Sequence, residues 1–123
     1  MRIGIISDTH DQVARTRAAV HRLADSGARA LIHCGDITIP DVVYELAPLP
    51  SHFVFGNCDF DLAELTARRP DYLFSGHTHQ ALDVLRDDTR FINPGALHRA
   101  SRWTVGLLDL ASGRLEQLTI GAP

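Results

Sequence analysis

Two histidines stand two residues apart in Gly76-His77-Thr78-His79, directly after the apolar run Tyr72-Leu73-Phe74. The run reads as a buried strand, and in extended backbone residues i and i+2 share a face, so both imidazoles would look towards one point. A helical pair would need a spacing of three or four. Imidazole is a common metal ligand, so the motif is half of a metal site if the rest of the chain supplies the other half. The ends of the other expected strands do. Asp8 and His10 follow Ile3-Gly4-Ile5-Ile6 at the same spacing, Asp36 follows Ala30-Leu31-Ile32-His33, and Asn57 follows His52-Phe53-Val54-Phe55. Singly, His10 reads equally as a surface residue, Asp36 as a cap and Asn57 as a turn residue. Jointly, six ligand-type side chains sit after successive strands, where open α/β sheets bind ligands, beside glycines that permit close backbone approach. The set mixes carboxylate, amide and imidazole without thiolate, which favours Mn2+, iron, Zn2+ or Ni2+ over a structural zinc. With more than four ligands, and Asp36 able to bridge, the pattern suggests two ions. Centres with ions about 3.5–4 Å apart commonly hydrolyse phosphate esters.

The elements that must position these groups alternate. A strand over Arg2–Ser7 leads to a helix over Val13–Ala24, capped by Thr9 or Asp11 and ended by Ser26-Gly27. A second strand, Ala30–His33, leads to a helix that starts at Pro40 and stops before Pro48. A third strand ends in Gly56-Asn57-Cys58-Asp59, and a short helix over Leu62–Arg69 precedes the strand before His77. This order argues for parallel βαβ units. The tail reads as strands at Leu82–Leu85, Arg90–Ile92, Trp103–Leu110 and Arg114–Ile120. Asp87-Asp88 and Ala111-Ser112-Gly113 supply hairpin turns. Thr104–Leu108 is nearly all apolar, as in a strand covered on both faces. No repeat or linker interrupts the 123 residues, so one domain over 1–123 is expected.

Composition narrows the classes. The net charge of −3 gives no electrostatic case for a nucleic-acid or anionic-membrane binder. Lysine is absent, so any phosphate-binding cation is a guanidinium. Cys34 and Cys58 form no CxxC motif and read as thiols of a reducing compartment. The N-terminal apolar run is too short for a signal segment or membrane span, and the expected location is the cytoplasm.

In this order, Asp8-Thr9-His10, Gly35-Asp36, Gly56-Asn57-Cys58-Asp59, Gly76-His77-Thr78-His79 and the turn Asn93-Pro94-Gly95 resemble the calcineurin-like metallophosphoesterases. The resemblance is to the small bacterial and archaeal phosphodiesterase branch, to which the retromer phosphoesterase-like subunit also belongs. It implies an α/β fold of four layers, α/β/β/α, with two sheets face to face and helices outside. It implies that Asp8, His10 and His79 hold one divalent metal, that Asn57 and His77 hold another, and that Asp36 bridges them. Asp36, Asn57 and His77 would then serve catalysis directly. The implied cofactor is one or two ions, Mn2+ first, with Ni2+, iron, Zn2+ or Co2+ as alternatives. The implied activity is hydrolysis of a small phosphoester, a phosphodiester above all, by a metal-activated water.

Two departures accompany the match. The family carries a block ending in His-Gly between the Gly-Asn and Gly-His-x-His motifs, and here no histidine lies between His52 and His77. The second ion therefore lacks one protein ligand, which water, substrate, Asp59, Asp61 or another subunit could replace, or the second site stays weak or empty. The loss could also expose an edge that favours self-association. Cys58 stands where many phosphomonoesterases carry a histidine that assists the leaving group. A thiol of pKa near 8.5 is a poor substitute, so esters with good leaving groups such as nitrophenyl diesters are the expected substrates.

Further residues carry two readings each. His33 either orients Asp36 or is a satisfied core histidine. Arg99 and Arg102 either clamp phosphate or lie in solvent. His98 is the spare imidazole for the vacant ligand position or for proton donation. His21 and His52 read as surface residues and Trp103 as core. The rival function is a catalytically weak or inactive scaffold of the same fold that binds a protein partner. A nuclease is disfavoured, since no basic stripe or aromatic series marks a strand-binding groove.

Overall fold

The computed structural model describes residues 1–53, 71–86 and 88–121. The Gly56–Asp59 motif, the end of the third strand, the helix expected over Leu62–Arg69, and Asp87 lie outside them. The described elements are β1 (Arg2–Ile6), α1 (Val13–Asp25), β2 (Ala28–His33), α2 (Pro40–Glu45), β3 (Ser51–Phe53), β4 (Tyr72–Phe74), β5 (Leu82–Arg86), β6 (Thr89–Asn93), β7 (Thr104–Asp109) and β8 (Leu115–Thr119).

Alternation in β1 divides the core between two faces. Ile6 packs with Ala19, Val20 and Leu23 of α1 and with Leu46 after α2. Ile3 and Ile5 face the other way and meet Ile92 of β6, with Tyr72 and Phe74 of β4 alongside. The result among the described residues is helices on one sheet and a second sheet on its other face. Gly4 sits under the helix, where a Cβ would lie 2.7 Å from Leu31 Cδ2 and 2.8 Å from Leu23 Cδ1, so its missing side chain sets how closely α1 approaches. None of the described helices is long and apolar enough to cross a membrane.

The first sheet has the order β3-β2-β1-β7-β8 and the second β4-β6-β5. β1, β2 and β3 run parallel, as the βαβ reading requires, and β7 and β8 add antiparallel. β4 does not continue that parallel run; it pairs with β6 in the second sheet. Thr104–Leu108 is wholly buried, with β1 and β8 on either side. Helix α1 starts from Gln12, not from a Thr9 or Asp11 cap. Thr9 Oγ1 is instead engaged with His33. The C-terminal expectation holds: Ser26 is the C-cap, and Gly27 follows at φ +93°. Pro40 occupies the start of α2, where its missing N–H costs nothing.

Candidate metal centre

The loops that follow β1, β2 and β4 meet at one end of the molecule. Asp8 N donates to Gly35 O at 3.1 Å and His10 N to Asp36 O at 2.9 Å, which zips the first two loops together. The third docks through His77 N, which donates to Asp8 Oδ2 at 3.0 Å. Ser7 Oγ donates to the same oxygen at 2.6 Å. Asn93 braces this loop with its amide, donating to Thr78 Oγ1 at 3.0 Å and Gly76 O at 3.3 Å, while its Oδ1 accepts from Gly95 N. The Asn93-Pro94-Gly95 turn thereby positions Gly76–His79.

Asp8, His10, Asp36 and His79 each bring one ligand atom into a group whose members lie within 4.8 Å of one another. Asp8 is fully buried, and the other three are 22–32% exposed in their side chains. His79 Nδ1 lies 3.2 Å from Arg99 O. A carbonyl only accepts, so Nδ1 carries a proton, and in the neutral ring Nε2 presents a lone pair. That lone pair sits 3.2 Å from Asp8 Oδ1. Asp8 Oδ1 and His10 Nε2 are buried side-chain atoms with no hydrogen-bond partner. Facing acceptors without a donor repel unless a cation lies between them. Two carboxylates and two imidazoles around one point suit a divalent ion of borderline hardness, and the residues present fit one.

The backbone differs from the extended geometry expected at the strand ends. β1 stops at Ile6 and β4 at Phe74, and Asp8, His10, Asp36, His77 and His79 all take left-handed conformations, with φ between +48° and +76°. Asp and His tolerate this region better than most residues, and such strain gathers at functional sites. The consequence is that His77 and His79 do not point to the same place. His79 joins the group, whereas the His77 side chain is exposed and contributes its backbone N–H. Asn57, Cys58, Asp59 and Asp61 lie outside the described residues.

The remaining expected residues surround the group. His33 is buried and spans the two zipped loops: its Nδ1 accepts from Gly35 N at 3.0 Å and its Nε2–H donates to Thr9 Oγ1 at 3.1 Å. Burial pushes its pKa down to about 4 against a raising effect of Asp36, so the ring is neutral. His98 lies beside His10, ring centroids 4.4 Å apart, with its pKa lowered by burial and then by His10 and Arg99. The Arg99 side chain is exposed, and its main-chain carbonyl is what serves the site. Arg102 is exposed, His21 and His52 are exposed as expected, and half-buried Trp103 packs against the core under the Arg15 guanidinium. Three contributors escaped the sequence reading: Ser7, Asn93 as the brace of the third loop, and the Arg99 carbonyl. Asn93 alone carried a signal, the Asn-Pro-Gly turn itself.

The model of the calcineurin-like phosphoesterase superfamily domain matches residues 1–69 and 60–113. The chain belongs to this superfamily. The two matches overlap at residues 60–69, between the Gly56–Asp59 and Gly76–His79 motifs. A probable metallophosphoesterase of Methanothermobacter thermautotrophicus is 30% identical over an alignment of 164 positions that covers the whole chain and 95% of the relative. A phosphodiesterase of Methanocaldococcus jannaschii is 29% identical over 102 residues, 81% of this chain and 61% of the relative, so the chain spans less than two thirds of that protein. Among solved structures, an archaeal phosphodiesterase superposes with a TM-score of 0.81 at 24% identity, covering 97% of this chain and 99% of the other. Vps29 of Entamoeba histolytica in complex with Zn2+ gives 0.68 at 16% identity, covering 98% and 100%. Both superpositions show the fold of this superfamily.

Proposed function

We propose that the chain is a metal-dependent phosphodiesterase in which Asp8, His10, Asp36 and His79 hold a divalent ion, Mn2+ by preference. The observation that carries this reading is the pair of facing acceptors, Asp8 Oδ1 and His79 Nε2, together with the unpartnered His10 Nε2. When bound, a divalent ion supplies Lewis-acid charge to phosphoryl oxygens and lowers the pKa of a bound water. The chain does the rest. Ser7 and His77 N–H hold Asp8 by its other oxygen, so Oδ1 keeps one direction. The Arg99 carbonyl fixes the His79 tautomer. His33 keeps the Asp8 and Asp36 loops in register. Asp36, 32% exposed at the edge of the group, would be shared with a second ion, for which Asn57 and His77 would be the further ligands. His98, its ring 4.4 Å from that of His10, would meet an ester oxygen. The good-leaving-group preference inferred from Cys58 stands as part of this reading, as does the extent of the domain, 1–123.

The test is turnover of nitrophenyl mono- and diesters, cyclic nucleotides and short oligonucleotides with added Mn2+. The nitrophenyl diester should be hydrolysed fastest, and Asp36→Ala and His79→Ala should each lose at least about a hundredfold in kcat. Undiminished turnover in both variants refutes the site. Metal binding without turnover of any ester supports the scaffold reading instead.

A further inference from the structure

We infer that the cleft beside Asp36 is the subsite for the organic group of the phosphoester, and that it selects an uncharged planar aromatic or heteroaromatic group. The inference rests on the phosphoesterase reading, because Asp36 is at once a member of the metal group and a wall of the cleft. An ester whose phosphate sits at the metal group therefore has this cleft within reach of its alcohol.

The cleft has a volume of about 540 Å³, and beyond Asp36 its walls include Ile37, Ile39, Pro40, Val43 and Tyr44. Small-molecule sites usually span roughly 300–1,000 Å³ with mostly apolar walls and few polar groups. Asp36 and Thr38 are both left-handed, at φ +58° and +65°, and Ile39 N closes back on Ile37 O at 2.9 Å. These turns fold the chain between β2 and α2 into the wall. Tyr44 is 74% exposed. Its flat ring with a polar tip suits stacking against another ring. Asp36 brings the only charge among the described lining residues, and it is negative. Among the described lining residues a second phosphate would meet no cation and would face the Asp36 carboxylate. The chemistry thus selects a phenyl-type ring or a nucleobase, not a polyphosphate or a nucleic-acid backbone.

The test needs no turnover. Phenylphosphonate and methylphosphonate share the anchoring group and differ in the ring, and their affinities for the Mn2+-supplemented protein can be compared by calorimetry. Phenylphosphonate should bind at least roughly tenfold more tightly, the scale expected for burying one ring. Tyr44→Ala, in an exposed position that keeps the fold, and Val43→Ser should each narrow that ratio by lowering phenylphosphonate affinity while leaving methylphosphonate unchanged. Equal affinities in the unaltered protein, or equal losses for both ligands in Tyr44→Ala, overturn the subsite. Turnover of a nitrophenyl diester in the same preparations reads the underlying activity separately. No turnover with the phenyl preference intact refutes the phosphoesterase reading and supports the subsite. Turnover with equal phosphonate affinities overturns the subsite alone.

Discussion

At the scale of single residues, the site leaves Asp8 Oδ1 and His10 Nε2 buried without a hydrogen-bond partner. Asp8 shows it most sharply, since Oδ2 takes two hydrogen bonds and Oδ1 faces the His79 lone pair. Asp8→Asn keeps an acceptor for Ser7 and His77 and turns the other atom into a donor towards His79. Without metal, that variant should be at least as stable as the parent chain. With metal, it should lose the ligand-linked gain, which at a hundredfold excess over Kd is about 2.7 kcal/mol, or roughly 10 °C in Tm for a chain of this length. Thermal melts with chelator and with Mn2+ check both halves, and a metal-dependent shift that survives in Asp8→Asn would remove Asp8 from the ligand set. His33 carries a second prediction. Its folded pKa is about 4, below the unfolded 6.5. Between those values the unfolded chain binds the extra proton, so stability rises with pH there, is fully present above 6.5, and is lost towards pH 4. The loss is about 3 kcal/mol, because the charged ring would be buried away from water, and a proton on Nδ1 would also face the Gly35 N–H. Denaturant unfolding against pH in chelator should show this slope in the parent chain and not in His33→Gln; equal slopes would mean that His33 titrates normally. That Asp8, His10, Asp36 and His79 gather was legible at this scale, and their geometry was not. Spacing placed His77 and His79 on one face of a strand, but left-handed backbone separates them. Single residues do not reveal where a strand stops.

At the scale of elements, the centre depends on how the β4 loop seats against the end of β1. Gly76 is the contact point: a Cβ there would fall onto Ser7 Oγ and lie 2.8 Å from Asp8 Oδ2, the very groups that hold the first ligand. Gly76→Ala should therefore damage the site more than the fold. Mn2+ affinity should fall at least tenfold, against a stability cost of about 1–3 kcal/mol from overpacking. Calorimetric titration beside denaturant unfolding separates the two, and an unchanged affinity would show that the loop can shift without consequence. Asn93→Ala loosens the same loop from its other side by removing three hydrogen bonds. The strands and both described helices were legible because their periodicity and their Pro and Gly punctuation are local signals. The partner of β4 was not legible. A three-residue apolar strand reads alike in either sheet, and only the packing of Tyr72 and Phe74 against Ile3 and Ile5 distinguishes them.

At the scale of the whole molecule, family membership and layered order were legible because five short segments, ending with the Asn93-Pro94-Gly95 turn, follow one another in the order of the family across most of the chain. The same reading exposes what the chain lacks. The Methanothermobacter relative aligns over 164 positions against 123 residues here, which leaves 41 positions with no counterpart in this chain. If two ions bind as proposed, one consequence is an unequal pair of metal sites. Asp8, His10, Asp36 and His79 form a set that is complete in the folded protein. A second site, as proposed, would draw on Asn57, an exposed His77 and a share of Asp36, without the histidine that the family's His-Gly block would supply. Even partners that only orient a ligand change metal affinity about 10–100-fold, so losing a ligand outright should separate the two affinities by at least that factor. Mn2+ titration should then show one ion that survives gel filtration and a second that is lost on dilution. His79→Ala should abolish the tight ion, whereas His77→Ala should spare it and weaken only the loose one. Elemental analysis after desalting, with and without excess Mn2+ in the buffer, measures both. Two equally retained ions would show that another group completes the second site, and equal effects of the two histidine substitutions would show that the ions are not held separately.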